Sequence, residues 1–377
     1  MQSTQPEHPL TCTPFDNPVA RVATLVPWMQ QNAPRLDDAA AFPAEEVAAL
    51  RGIGALALPL PIEQDVAASD LLADQLARIL AHIGIGNLSV GRLYEAHINA
   101  RHLIGRYGSP DQKAACSKDI QDGHLFALWV TDPSKNGLRM SATADGIRLC
   151  GQKLFCSGAG YATRALVTAV DENGKSQMLI IALRSGEHVQ ELASPLQGMR
   201  AAVTGAVDFT GCTASANARL GKPGDYLREP DFSAGAWRGS AVALGGLCSL
   251  LDEAKSQLQA AGRLDNPHHL QRLGGAMIAC ETSRLWLRQA ARTAEGRSGD
   301  PSEIVAYIGL SRIAIESACL DAMRLVQRSL GLSAFRRGNP VERICRDLST
   351  YLRQPAPDDV LTEAASWFVR KPMPELS

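Results

Sequence analysis

The amino-acid sequence predicts a mixed α+β protein whose helices and strands occupy separate stretches of the chain. Apolar residues recur at helical spacing through the first third, and near residue 125 this period gives way to strand-like alternation. From about Phe232 the helical period returns and continues to the end. Helices and strands do not alternate and no GxGxxG follows a strand, which argues against a Rossmann fold. We therefore predict three domains, at residues 1–124, 125–228 and 229–377.

The first third contains the signals of several helices. Pro43 opens the stretch PAEEVAALRGIGAL, which has acidic residues in its first turn and Gly52 as a stop. A further helix is indicated by apolar residues at helical spacing, namely Leu71, Leu72, Leu76, Ile79, Leu80 and Ile83. The next segment repeats the pattern at Leu93, Ile98 and Leu103 and is ended by Gly108, Ser109 and Pro110.

The middle third is predicted to be a β domain and the last third a set of long helices. HLFALWVTD is a short apolar run, and IRLCGQKLFCSG carries Gly151 inside a strand-like pattern. Two apolar strands flank Asn173-Gly174, which is the strongest short-range hairpin signal. After Phe232 the helical segments are long and rich in small residues, which suits helices that pack closely against one another.

Charge and cysteine usage exclude several classes of protein. Of the 377 residues, 38 are Lys or Arg and 39 are Asp or Glu, so neither a nucleic acid nor an anionic membrane is expected as a partner. No apolar run approaches the roughly 18 residues of a membrane span, and the N-terminus has no secretory pattern. The nine cysteines are scattered without a CxxC pair, and the histidines lack ligand spacing, so we expect a cytoplasmic protein without a metal site.

Three segments, taken in order, carry a resemblance to a known family. They are YGSPDQK…DGHLFALWVTDP, then GQKLFCSGAGYA, then LGLSAF…NPVERICRDLSTY. With a β unit between helical thirds, the chain resembles the acyl-CoA dehydrogenase family of flavoproteins over nearly its whole length. The resemblance implies an N-terminal all-α domain, a middle antiparallel β-barrel-like domain and a C-terminal four-helix bundle. It also implies FAD between the last two domains, and a homodimer or homotetramer whose subunits share the flavin site.

The middle domain carries part of the flavin motif that the resemblance implies. Trp129, Val130 and Thr131 match the strand end that meets the polar edge of the flavin ring. Phe155 matches an aromatic that packs against the ring, and Ser157 a hydroxyl that donates near its N5 atom. The stretch after Pro133 differs from the glycine-rich segment of the family, so its usual phosphate contact is not implied. A core aromatic and a strand-end hydroxyl are the alternative interpretations of Phe155 and Thr131.

The helical domain matches the family less closely. Arg263 stands at the place of an arginine that reaches the FAD of a neighbouring subunit, but residues 264–267 replace the Phe-Gly pair that follows it in the family. Gly331 matches the turn that helps to hold the FAD pyrophosphate, although Leu332 and its neighbours put side chains where backbone should approach phosphate. Arg328 aligns with a glutamine of the family and could contact the pyrophosphate or pair with an acid.

The catalytic base of the family has no counterpart, so the catalytic residue stays unassigned. Counting from Arg346, the usual glutamate position falls on Pro355, which cannot take a proton. A minority of the family places the base on the first long helix of the C-terminal bundle, where residues 235–239 offer no carboxylate. Asp358 and Asp359 are the nearest acids, and we interpret them as an N-cap with favourable placement in the helix dipole; a relocated catalytic base is the alternative interpretation.

Three functions remain open. The first is an acyl-CoA dehydrogenase-like, FAD-dependent oxidoreductase that is not a standard desaturase. The second is a flavin-dependent monooxygenase of the same fold, since those relatives lack the glutamate and tend to place a His or Ser near the flavin. The third is a non-catalytic member that has lost FAD. An active enzyme would take a small-molecule substrate, with acyl thioesters as one class; His97 and His102 cannot be placed from sequence.

Overall fold

A computed structural model describes residues 17–61, 66–296, 299–353 and 355–371. The first third is helical, as predicted. Its helices are α1 (Pro18–Ala39), α2 (Ala44–Gly52), α3 (Val66–Gly86), α4 (Leu88–Tyr107) and α5 (Pro110–Gln121). Local chemistry sets their ends: Asn17 caps α1, and Ser109 and Gln112 form a reciprocal capping box at the start of α5.

The middle third forms two β-sheets. Its strands are β1 (Phe126–Trp129), β2 (Arg139–Thr143), β3 (Gly146–Cys150), β4 (Gln152–Cys156), β5 (Arg164–Val170), β6 (Ser176–Ala182), β7 (Val189–Gln190), β8 (Gly205–Asp208), β9 (Thr213–Ala214) and β10 (Arg219–Leu220). The larger sheet has the order β10-β6-β5-β2-β3-β9 with β1 beside β5, and the smaller has the order β4-β8-β7. The β5–β6 hairpin encloses Asn173-Gly174, as predicted.

Gly151 marks the point where the chain leaves one sheet for the other. It separates β3 from β4 with a φ of 106°, and a Cβ atom at this position would lie 2.4 Å from the carbonyl oxygen of Gly137. A side chain is therefore excluded here, and the turn requires glycine.

Most strand pairs of the middle domain are antiparallel, as predicted, but two of the described pairs are parallel. β1 runs parallel to β5 along its whole length, and β2 meets β5 in a parallel bridge between Arg139 and Val170. Three strands intervene between β1 and β5, so the chain can return to the same end of the sheet before it pairs. The mixed α+β class itself is confirmed.

The last third contains α6 (Asp231–Ala234), α7 (Ala236–Ala260), α8 (Pro267–Gly296), α9 (Pro301–Leu330), α10 (Pro340–Tyr351) and α11 (Pro357–Phe368). α7, α8 and α9 pack on one another, α11 packs on α9, and α3 of the first third packs on α7 and α8. Small residues allow α7 and α3 to approach closely, because a Cβ atom at Gly245 of α7 would lie only 2.1 Å from the carbonyl oxygen of Ala81 of α3. Among the described residues, no helix is both long enough and apolar enough to cross a lipid bilayer.

The helical thirds share one hydrophobic core, whereas most of the β domain packs around a second. Leu80, Val242 and Leu348 belong to the shared core, although they come from different thirds. Trp129 and Phe209 belong to the separate core of the β domain. The division of the chain at residues 124 and 228 stays a prediction.

Candidate functional site

A cavity of about 600 Å³ lies between the helical thirds and adjoins the first strand. α4, the segment around α6 and the start of α7, α9 and α11 all contribute to its walls. Its apolar lining includes Leu103, Leu128, Phe232, Ile308, Val360 and Trp367. Leu128 is the penultimate residue of β1, so the cavity adjoins the strand end on which the sequence placed the flavin motif.

The two predicted flavin segments of the middle domain lie side by side. The indole Nε1 of the buried Trp129 donates to the carbonyl oxygen of Ser157 at 2.9 Å. The backbone N–H of Leu154 donates to the carbonyl oxygen of Thr131, also at 2.9 Å. The end of β1 and the end of β4 are thereby held together, as a shared ring site requires.

Lys153, which the sequence reasoning missed, fixes the backbone beside these residues. Its side chain is fully buried, and its Nζ atom donates to the Val130 carbonyl oxygen (3.2 Å), Asp132 Oδ1 (2.7 Å) and Thr168 Oγ1 (3.0 Å). Burial lowers the pKa of Lys153, and its close contact with Asp132 opposes that effect. The carbonyl of Val130 therefore has a fixed position.

The end of β4 is strained and presents an aromatic ring. Phe155 has a φ of 53° and a side chain that is 50 % exposed, at a place where the register between β4 and β8 shifts. Val203, in the loop opposite, has a φ of 44°, which is unusual for a β-branched residue. Such strain persists where the surrounding structure enforces it, and it clusters at functional sites.

These residues fit the ring of a flavin. An exposed aromatic side chain suits the face of a flat heterocycle, and hydroxyls and backbone groups suit its polar edge. The exposed Thr131 and the nearly buried Ser157 supply two hydroxyls, and Thr204 brings a third to 3.5 Å from Ser157 Oγ.

The predicted flavin residues of the helical domain lie at one end of the bundle. Arg263 is exposed just after α7, Arg328 is exposed in the last turn of α9, and Gly331 opens a short 3-10 turn, Gly331–Phe335. Asn339 links α7 to this turn, because its side chain forms hydrogen bonds with both Gln257 of α7 and Ser333 of the turn. In the described part of the chain no hydrogen bond or ion pair joins the three residues to the strand-end group.

Pro355, at the usual glutamate position, lines the cavity and offers backbone in place of a carboxylate. Its carbonyl oxygen accepts a hydrogen bond from Arg312 Nη2 at 2.8 Å. α11 begins at Pro357 with Ala356 as N-cap, so the N-cap interpretation of the following acids was wrong. Asp358 and Asp359 are exposed in the first turn, where the helix dipole still favours them.

Within the described part of the chain, four carboxylates line the cavity, those of Glu95, Glu229, Asp231 and Glu363, and the first of them comes from α4. Glu95 of α4 has a side chain only 10 % exposed; it pairs with Arg92 at 2.5 Å and accepts from Asn99 Nδ2 at 2.7 Å. A Cβ atom at Gly239 would lie 4.0 Å from Glu95 Oε1, and Tyr351 donates to Glu95 Oε2 at 3.4 Å. The carboxylate thus lies beside the stretch of α7 that lacks one.

A buried ion pair between Arg238 and Glu295 lies beside the cavity. Arg238 Nη2 donates to Glu295 Oε1 at 2.6 Å, and the two side chains are 5 % and 1 % exposed. Trp237 Nε1 donates to the same oxygen at 3.0 Å, and Arg238 Nη1 donates to Asn99 Oδ1 at 3.1 Å. Nothing local in the sequence marks this group, because its members come from three helices.

The same guanidinium fixes the tautomer of the histidine that lines the cavity. Arg238 Nη2 also donates to His102 Nδ1 at 3.0 Å, so the imidazole proton must be on Nε2. Burial and the charge of Arg238 hold the pKa of His102 well below its usual range, so the ring stays neutral. His97 is structural instead: its Nε2 bonds the Leu56 carbonyl oxygen, its Nδ1 accepts from the Phe126 N–H, and burial lowers its pKa to about 3.

Comparisons with known proteins bear on the fold of the chain. No protein-family profile matches the chain. It is 23 % identical to a probable FMNH2-dependent monooxygenase, SfnC of Pseudomonas putida, over 96 % of this chain and 97 % of that protein. The structure of glutaryl-coenzyme A dehydrogenase with glutaryl-CoA superposes with a TM-score of 0.78 at 18 % identity, covering 94 % and 95 % of the two chains. The chain has the acyl-CoA dehydrogenase fold.

A third comparison bears on the cofactor. TdsC from Paenibacillus sp. A11-2, solved with FMN and indole, superposes with a TM-score of 0.82 at 18 % identity, covering 95 % of this chain and 98 % of TdsC. The resemblance read from the sequence is therefore confirmed at the level of the fold, and a flavin is the cofactor that these comparisons support. In the described residues no group of three His, Cys, Asp or Glu side chains is placed to hold a metal ion.

Proposed function

We propose that this protein is a flavin-dependent monooxygenase that acts on a small, largely apolar molecule. One observation carries the proposal: where an acyl-CoA dehydrogenase of this fold is expected to hold its glutamate, the cavity wall has Pro355, whose carbonyl oxygen is occupied by Arg312. Pro355 itself therefore offers no base for proton abstraction from a substrate carbon. The names of SfnC and the FMN-bound TdsC structure support the same function.

The flavin ring is proposed to lie where the ends of β1 and β4 meet. Phe155 would cover one face of the ring, and Thr131, Ser157 and the fixed carbonyl of Val130 would meet its polar edge. A bound reduced flavin would supply the electrons that activate dioxygen.

The chain's own residues then position the substrate and exclude water. The apolar walls of the cavity take the body of the substrate, and His102 offers an N–H donor that does not change protonation near neutral pH. Ser157 and Thr204 hold or pass a proton at the edge of the ring. Lys153 keeps the backbone of this edge in place, so the donors do not reorganise during the reaction.

We propose FMN as the flavin, in place of the FAD that the resemblance implies. The residues for an FAD pyrophosphate would be Arg263, Arg328 and Gly331, but the turn after Gly331 presents the side chain of Leu332, which is 82 % exposed. Backbone cannot approach a phosphate closely where such a side chain stands.

The test is binding of reduced flavin under anaerobic conditions, followed by oxygen uptake with indole as the probe substrate. We expect reduced FMN to bind more tightly than reduced FAD, and oxygen uptake to produce an oxygenated product when oxygen-18 is supplied. Failure to bind either reduced flavin would reject the proposal and favour a member of the fold that has lost its cofactor. A preference for FAD would reject only the choice of flavin.

A second candidate function rests on Glu95. Its carboxylate lies beside Gly239 and could serve as the base of an acyl-thioester dehydrogenase. Removal of a positioned general base lowers a rate by about 10²–10⁴-fold. An electron-acceptor assay with short, medium and long acyl-CoAs distinguishes the two functions, because brisk turnover that Glu95→Gln abolishes would favour the dehydrogenase. Under the main proposal turnover is very slow, and Pro355→Glu restores little of it.

We also propose that the protein is a homodimer or homotetramer of the cytoplasm. One face of α8 exposes a row of apolar side chains, Leu270, Met277, Ile278 and Leu285, which suits a second copy of the chain. All eight described cysteines are free, which is usual in a reducing compartment. A sedimentation mass equal to one 40.3 kDa chain would contradict the oligomer.

A further inference from the structure

Two thiols from different helices lie in contact. The sulfur atoms of Cys248 in α7 and Cys280 in α8 are 3.2 Å apart, and both residues are partly exposed. A disulfide bond is about 2.0 Å long, so the two sulfur atoms need to approach by only about 1 Å. Cys319 of α9 is close enough to act on both electrostatically, but it is fully buried, and burial raises its pKa to about 12.

The environment distinguishes the two thiols. The Cys248 thiol hydrogen-bonds to Cys280 and lowers the pKa of the Cys280 thiol. The same hydrogen bond, with burial, raises the pKa of Cys248. The thiolate is the nucleophilic form of cysteine, so the direction of these shifts favours Cys280 as the residue that attacks.

We propose that Cys248 and Cys280 form a modification site that reacts with hydrogen peroxide and closes to a reversible disulfide between α7 and α8. The Cys280 sulfur attacks one peroxide oxygen, the O–O bond breaks, and the products are a sulfenic acid and one water. The Cys248 sulfur then displaces the hydroxyl from Cys280, which leaves as a second water with the Cys248 proton. Two thiols are oxidised by two electrons in total, and one peroxide is reduced to two waters.

The structure favours this site over the other described cysteines. Cys150 is exposed but has no thiol beside it in the described residues, and Cys116, Cys156 and Cys345 are buried with pKa values raised by burial. Cys212 is partly exposed and lies 3.4 Å from His188 Nε2, but burial raises its pKa and no second thiol among the described residues is in contact with it. The pair is also too small a ligand set for a metal, since no third ligand in the described chain is placed to join it. The disulfide would close a loop between positions 32 residues apart and would tie α7 to α8.

The experiment treats the purified protein with hydrogen peroxide and maps its peptides without reduction. We expect a Cys248–Cys280 peptide pair that forms at least ten-fold faster than Cys150 is oxidised, and a Tm higher by about 5 °C that dithiothreitol reverses. Cys248→Ser should stop at a sulfenic acid on Cys280, trapped by dimedone, whereas Cys280→Ser should give no adduct on Cys248. Cys150→Ser is the control and should leave the crosslink unchanged.

Three results would overturn the proposal. They are the absence of the crosslinked peptide in the wild-type protein, a crosslink that forms no faster than Cys150 is oxidised, and a dimedone adduct on Cys248 in the Cys280→Ser variant. None of these measurements needs a flavin or a substrate, so the proposal is tested independently of the proposed function.

Discussion

Replacing Glu295 with alanine should destabilise the protein strongly. The carboxylate is 1 % exposed and accepts hydrogen bonds from Arg238 and from Trp237 Nε1, so its removal leaves a buried guanidinium without its counter-charge. Breaking a buried pair on one side costs about 3–5 kcal/mol. A folded protein has about 5–15 kcal/mol of stability in total, so the loss is a large share of it.

Equilibrium urea unfolding followed by circular dichroism measures this loss as a shift of the midpoint. The matched control is Glu281→Ala, also on α8, whose pair with Arg284 has side chains 55 % and 52 % exposed. An exposed pair contributes little, so we expect no resolvable shift in the control. A Glu295→Ala midpoint equal to that of the control would refute the reasoning.

The double variant Arg238→Met/Glu295→Leu distinguishes the effect of the ion pair on stability from its effect on the tautomer of His102. Replacement of a buried ion pair by apolar residues is often neutral or stabilising, but here Trp237 Nε1 also loses its acceptor. We therefore expect the urea midpoint to recover most, but not all, of the loss seen in Glu295→Ala. His102 then loses the donor to its Nδ1, and ¹⁵N NMR of the imidazole should no longer show a proton fixed on Nε2. A wild-type spectrum with the proton on Nδ1 would contradict the hydrogen bond with Arg238.

Three further predictions follow from other parts of the structure. Ser157→Ala should weaken or alter flavin binding without unfolding the protein; a titration indistinguishable from that of the wild type, with Ser141→Ala in β2 as control, would contradict this. Burial raises the pKa of Asp347 to about 6, so the native state binds the extra proton between about pH 4 and 6 and stability falls as pH rises through this window. The Tm of Asp347→Asn relative to that of the wild type should therefore increase as pH rises to about 6 and then level off. A difference in Tm that does not change with pH would refute this prediction. Ile278→Glu should reduce the sedimentation mass by breaking contact between copies, whereas an unchanged mass would exclude this face of α8.

Local chemistry explains which elements could be predicted from the sequence. Pro43, Ser109 and the Asn173-Gly174 turn act through their immediate neighbours, so the ends of α2 and α5 and the β5–β6 hairpin follow from a few residues each. The parallel pairing of β1 with β5 depends on where the intervening strands lead the chain, and alternation along a strand carries no sign of its direction.

The same distinction divides the candidate site. Trp129 and Ser157 could be predicted as site residues because each belongs to a short recognisable motif, and a hydrogen bond joins them in the structure. Glu95 and Arg238 look like ordinary charged residues of amphipathic helices, and the partners that make them notable lie 57 to 256 positions away. His97 and His102 are five residues apart on one helix, and spacing alone could not show which of them would line the cavity.

The buried ammonium of Lys153 makes the position of the Val130 carbonyl, at the proposed flavin edge, sensitive to the distance between the two sheets. Lys153 belongs to β4 of the small sheet, one of its partners, Thr168, belongs to β5 of the large sheet, and the other two follow β1. The ammonium thus connects β4 both to β5 and to the segment that follows β1. A substitution in the core that moves one sheet against the other would shift the Val130 carbonyl, and with it the proposed ring site, without changing any residue of that site. A change in the absorption spectrum of a bound flavin would then report a displacement between the two sheets in the core of the β domain.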